Sequence, residues 1–201
     1  MGFDYANKWP EYAKQWDAME PIDSEWRNTF VELAEAIIDD KRRYHEVEMD
    51  TGVPWQMIAV IHQRESDRDW DTYLGNGEPL DEVTTLVPKG RGPWDTWEEG
   101  AVDALTYDGL TEVKNWRLEK MLYHLEKYNG IGYHNKGMPT PYLWSGTTIQ
   151  EPGKYVADGV FDPDEMDEQP GCCGLLYVIH ELDNPSQFER EVATPEEPLV
   201  A

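Results

Sequence analysis

Val53-Pro54-Trp55-Gln56-Met57-Ile58-Ala59-Val60-Ile61-His62-Gln63-Arg64-Glu65-Ser66 is the stretch that most limits what this chain can become. It is an apolar run, shorter than a membrane span, that ends in ionisable side chains. Pro54 suits the first turn of a helix, where its missing N–H would lack a partner anyway. At 100° per residue, Pro54, Ile58, Ile61, His62 and Glu65 fall on one face. Glu65 therefore closes a stripe that faces the core. A carboxylate that loses water there has a raised pKa and holds its proton nearer neutral pH, as a general acid must.

The residues that follow break the apolar pattern. Tyr73-Leu74-Gly75-Asn76-Gly77-Glu78-Pro79-Leu80 contains Asn-Gly, a strong turn signal. Thr84-Thr85-Leu86-Val87 has strand character, and a small hairpin with the segment before Asn76 is expected.

The rest reads as mostly helical. Trp9, Tyr12 and Trp16 fit a short helix packed on the domain. Ser24 is a plausible N-cap for one helix running to about Met49, with Trp26, Phe30, Leu33, Ala34, Ile37 and Ile38 inward. Lys41-Arg42-Arg43 reads as a solvated helix face. Thr96, with Glu98 and Glu99 behind it, caps a further helix. Another spans Trp116 to Tyr128 and stops at Asn129-Gly130. Residues 133–161 are Gly/Pro-rich and read as an ordered aromatic loop. A last helical region starts at Asp162-Pro163-Asp164, with Cys172 to Leu182 as its apolar part. The expected organisation is one domain over 1–183, with helices of 1–50 packed on it, and a loose acidic tail over 184–201.

The net charge is −24. That argues against a nucleic-acid binder, which needs a basic patch, and against an anionic membrane surface. Nine Trp and eleven Tyr suit a carbohydrate cleft, although large rings also fill cores. Cys172 and Cys173 are adjacent, which disfavours a mutual disulfide, and their glycine neighbours suit small buried side chains.

Five motifs carry a family resemblance. Ile58 to Ser66, ending in Glu65-Ser66, is similar to the first motif of soluble lytic transglycosylases and goose-type lysozymes. Tyr128-Asn129-Gly130-Ile131-Gly132 is similar to their Tyr-Asn-Gly motif. The span from about Trp55 to Gly171 resembles a set of phage and bacterial lysozyme-like proteins through Ile-His-x-x-Glu-Ser, the Asn-Gly-Glu-Pro-Leu turn, Trp97-Glu98-Glu99, and Pro141-Tyr142-Leu143-Trp144-Ser145-Gly146.

The resemblance implies a mainly α (α+β) lysozyme-like fold, two lobes with a small β-hairpin beside the catalytic helix. It implies a hydrolase that cuts peptidoglycan glycan strands between N-acetylmuramic acid and N-acetylglucosamine, with Glu65 as general acid. A plain ion pair of Glu65 with Arg64 or Arg68 is the competing reading. Glu78 is the candidate second carboxylate, with Asp69, Asp71 and Asp81 nearby. Asn76 and Thr85 are candidate substrate contacts in the turn, and Thr84 or Thr85 is placed to position a water. His62 either bonds Glu65 or a sugar, or is a satisfied core histidine. Tyr128 supports the acid and Asn129 contacts sugar, if the motif carries over. Tyr142 and Trp144 are candidates for the opposite wall of the groove, or for the core. His62-x-x-Glu65 lacks partners to complete a metal set, so no metal or cofactor is expected.

Four alternatives stay open: a lytic transglycosylase, a chitinase, a chitosanase, or a non-catalytic phage structural or wall-binding protein. The N-terminus lacks basic and apolar signal regions, so the expectation is a monomeric product of a host cytoplasm that reaches the wall by lysis or in a virion, without membrane insertion.

Overall fold

The computed structural model describes residues 2–157, 159–183 and 188–191. Among them are nine α-helices, one 3₁₀ turn and one two-stranded antiparallel sheet. The fold is mainly helical.

The central helix is α4, Trp55–Ser66. It is buried on more than the expected stripe: Met57, Ala59 and Val60 are as inaccessible as Ile58 and Ile61. The reason is that α3 (Lys41–Thr51), α6 (Leu118–Asn129) and α9 (Cys172–Leu182) all pack on it. A helix apolar all round belongs inside a core. Its end is abrupt. Asp67 and Arg68 both take left-handed φ, 53° and 60°, and their N–H groups satisfy the carbonyls of Gln63 and His62. Two successive non-glycine residues there store local strain directly after Glu65-Ser66.

The N-terminal helices are part of the same core rather than additions to it. In α1 (Tyr5–Ala18), Asp4 caps the first turn through Asn7 N. Tyr12 donates to Glu126 of α6 at 2.6 Å, and Lys8 lies 3.6 Å from the same carboxylate. The expected helix over 24–49 is two helices, α2 (Ser24–Asp39) and α3, broken at Asp40. The cap of α2 is Asp23, one residue before Ser24, accepting from Trp26 N. Helix α2 lies on α9 so closely that a Cβ on Gly174 would come within 2.1 Å of the Phe30 ring.

Lys41, Arg42 and Arg43 pair with Asp183, Glu46 and Glu98 respectively. Arg43 also covers the Trp70 ring at 3.8 Å. Glu98 belongs to α5 (Trp97–Tyr107), whose cap is Thr96, accepting from Glu99 N as the sequence predicts.

The β structure is elsewhere than expected. Residues 84–87 form no strand; Leu86 and Val87 are exposed, and the turn at Asn76-Gly77 is closed by a single bridge between Thr72 and Pro79. The sheet is β1 (Lys154–Ala157) with β2 (Val160–Asp162), inside the stretch read as a loop. The overlooked signal is Asp158-Gly159 between Tyr155-Val156-Ala157 and Val160-Phe161, a hairpin dipeptide between β-formers. Two short helices, α7 (Gly132–Lys136) and α8 (Pro141–Trp144), precede it. Tyr133 of α7 pins the hairpin by accepting from Tyr155 N at 3.0 Å.

Residues 162–171 are not helical; α9 begins only at Cys172. Cys172 and Cys173 are fully buried, and burial raises both thiols, Cys172 to about 12. Part of the expected loose tail is docked. Glu189 O accepts from Leu118 N, and the buried Glu119 carboxylate takes Arg190 and Glu191 N. The remaining tail lies outside the described residues.

Candidate functional site

A cleft of about 560 Å³ lies between α7–α8 and the β1–β2 hairpin. Its lining includes Arg64, Asn129, Tyr133, Tyr142, Lys154, Tyr155 and Asp167. Glu65 does not itself line it; Tyr142, which does, donates its phenol to Glu65 Oε1 at 2.8 Å. Tyr142 is 3% exposed, so this bond is held by the core.

Glu65 is open to solvent, yet protein surrounds most of its sphere. Loss of water raises its pKa above the ordinary carboxylate value; the Tyr142 bond and the Arg64 guanidinium pull it back, and Asp108 pushes it further up.

Tyr128 does not support the acid by a direct bond. Its hydroxyl donates to Leu74 O at 3.1 Å, and burial, with the charge of Glu65, raises its pKa. Tyr142, expected on the far wall, has taken that place. Asn129 is exposed at the cleft, one residue beyond Tyr128, as its motif position implies.

Arg64 is not the partner of Glu65 but of Asp167, with further bonds to the carbonyls of Gln169 and Pro170. Lys154 of β1 also meets Asp167, at 3.0 Å. Burial works against ionisation of Asp167, but the Arg64 charge, with Lys154, holds its pKa below the ordinary value. Sequence reading had no means of finding this trio. It joins α4, β1 and the loop before α9, over a separation of 103 residues between Arg64 and Asp167.

Asp108, at the C-terminus of α5, is the other missed residue. It lines a small cavity of about 100 Å³ with Leu110, His124, Lys127 and Tyr128. Burial raises its pKa, opposed by Lys127. Glu65 thus has two ring neighbours that open onto different cavities, Tyr142 on the large one and Tyr128 on the small one.

The turn residues form a closed set of their own. Glu78 accepts from Thr85 N, Thr85 Oγ1, Leu86 N and Asn76 Nδ2 at 2.7–3.0 Å. The Thr85 hydroxyl, with those N–H groups, lowers its pKa. Asn76 Oδ1 in turn accepts from Glu78 N. Asn76, Glu78 and Thr85 therefore organise their loop, and none of them lines the 560 Å³ cleft. Thr84, also buried, bonds Pro88 O.

Two expectations need correction. His62 neither bonds Glu65 nor reaches the cleft; of its two readings the satisfied core histidine holds, fully buried in a ring box of Tyr44, Trp70 and Trp97. Asp69 O can only accept, so Nε2 carries the proton and Nδ1 accepts from Tyr44 OH, both at 3.1 Å. Burial lowers its pKa to about 4. Trp144 is 1% exposed and fills the core, so it is no wall of a groove.

Among the described residues, no three His, Cys, Asp or Glu side chains gather as a metal site, and no helix is long and apolar enough to cross a membrane. Comparison with protein-family models, curated proteins and solved structures finds no match to this chain.

Proposed function

We propose that this chain is a lysozyme-like glycoside hydrolase that cuts peptidoglycan between N-acetylmuramic acid and N-acetylglucosamine, in the manner of an endolysin or a virion-associated lysin. The observation that carries the reading is the setting of Glu65: a carboxyl with raised pKa at the end of a core helix, held by Tyr142 beside an aromatic cleft. In this reading Glu65 protonates the glycosidic oxygen as the bond to the anomeric carbon breaks and an oxocarbenium-like centre forms. A water, or a hydroxyl of the substrate itself, then adds to that carbon and returns a proton to the Glu65 carboxylate. Glu78, ionised and saturated with donors, fits holding its turn better than reacting. The cations Arg64 and Lys154 in the cleft disfavour a cationic polymer such as chitosan.

The test is digestion of purified peptidoglycan by wild type and Glu65→Gln, with mass spectrometry of the fragments and thermal melts to confirm folding. Reducing ends from wild type and a loss of about 10²–10⁴-fold in the variant support hydrolysis by Glu65. Anhydro ends mean transglycosylation by the same acid. No fragments from wild type overturn the enzyme reading, and full activity in Glu65→Gln overturns its mechanism.

A further inference from the structure

The β1–β2 hairpin brings an ammonium group to a cleft in a chain that is otherwise strongly acidic. Lys154 lines the cleft with its side chain 32% exposed, whereas Arg64 and Asp167 are at 8% and 2%. Arg64 is used up on Asp167, Gln169 O and Pro170 O. Lys154 stands opposite Asp162 across the hairpin and its Nζ pairs with Asp167 at 3.0 Å, and an ammonium has three N–H donors. Asp167 fixes where this charge sits without covering it. The described cleft lining holds two cations and one carboxylate, against a net charge of −24 for the chain.

We infer that Lys154 receives a carboxylate of the substrate, so that the cleft selects glycans bearing acidic side groups, as the peptide stems of muramic sugars are, over uncharged N-acetylglucosamine polymers. This deepens the hydrolase reading and rests on it. A chain this acidic repels an anionic polymer as a whole, so productive binding needs a local positive contact. Lys154 supplies it, and Asn129 and Tyr155 line the same cleft with an amide and a ring. Lys136, stacked on Phe161 at 3.9 Å, is a cation of the same hairpin region that does not line the cleft.

The experiment compares wild type, Lys154→Gln, Lys154→Arg and Lys136→Gln on native peptidoglycan and on the same polymer with its carboxylates converted to amides, at one fixed salt concentration. On native polymer Lys154→Gln raises KM about ten-fold with kcat little changed, and Lys154→Arg restores binding. Lys136→Gln leaves KM at the wild-type value. On the amidated polymer wild type loses its advantage, and Lys154→Gln changes nothing further. Equal effects of Lys154→Gln on both polymers, or none on either, overturn the inference while leaving the hydrolase reading intact. Failure of wild type to cleave either polymer overturns the hydrolase reading and takes this inference with it.

Discussion

Tyr142 donates its phenolic hydrogen to Oε1 of Glu65 at 2.8 Å, across 77 residues of sequence. The bond stabilises the ionised carboxylate, and so opposes the burial that raises the pKa of the same group. Glu65 is thus held between two effects of opposite sign, and each can be removed separately.

Tyr142→Phe removes the donor and keeps the ring. The pKa of Glu65 then rises further, and a general acid with a higher pKa keeps its proton to higher pH. The alkaline limb of the kcat/KM profile should move up, with turnover at its optimum within about ten-fold of wild type. A pH–rate profile on peptidoglycan checks this, and a limb that stays put or moves down would show that Tyr142 does not act on the proton of Glu65.

Asp108→Asn works in the opposite direction. The Asp108 carboxylate raises the Glu65 pKa by like-charge repulsion, so its neutralisation lowers that pKa and draws the alkaline limb to lower pH. The double variant with Tyr142→Phe should fall between the two single variants. If Asp108→Asn instead abolishes turnover at every pH, Asp108 takes a direct part in the reaction.

Glu78→Gln tests the saturated carboxylate of the Asn76–Thr85 turn. All its contacts are donors from its own loop, so the variant should lower thermal stability while kcat stays within about ten-fold of wild type. Loss of a reacting carboxylate would cost about 10²–10⁴-fold. A fall of that size with unchanged melting would return Glu78 to the catalytic set.

His62 sets a pH dependence of stability. Its folded pKa of about 4 lies below the ordinary 6.5, so the unfolded chain binds more protons between these values. The stability His62 confers is complete above about pH 6.5 and is lost as pH falls toward 4, by up to about 1.4 kcal/mol per pH unit. His124, also lowered to about 4, adds to the same slope. Glu65 and Asp108, both raised, act with the opposite sign, so the informative quantity is the difference between wild type and His62→Gln. Denaturant unfolding at pH 7, 6, 5 and 4 should give a shallower decline in the variant; parallel lines would count against the assignment.

Gly174→Ala probes the contact of α2 with α9. The added Cβ meets the Phe30 ring at 2.1 Å, far inside contact distance, and should cost about 1–3 kcal/mol. The measurement is the denaturant midpoint at constant m-value.

The sequence by itself determined the features that depend on neighbours along the chain. Helix α4 was legible because its apolar run and Pro54 are local, and the stop at Asn129-Gly130 because Gly130 takes positive φ, 97°. The raised pKa of Glu65 followed from its place at the end of a buried stripe. The break at Asp40 was not legible, since nothing in the surrounding pattern interrupts the helical period. Tertiary structure decided the rest, because a side chain's role depends on what faces it. It turned His62 and Trp144 into core residues, and gave Tyr142 rather than Tyr128 the bond to Glu65. It also drew Arg64 away from its sequence neighbour, Glu65, to Asp167. Period and spacing say which way a residue points along its own helix. They do not say which distant carboxylate, carbonyl or ring arrives opposite, and that arrival fixed the proton and the charges at this site.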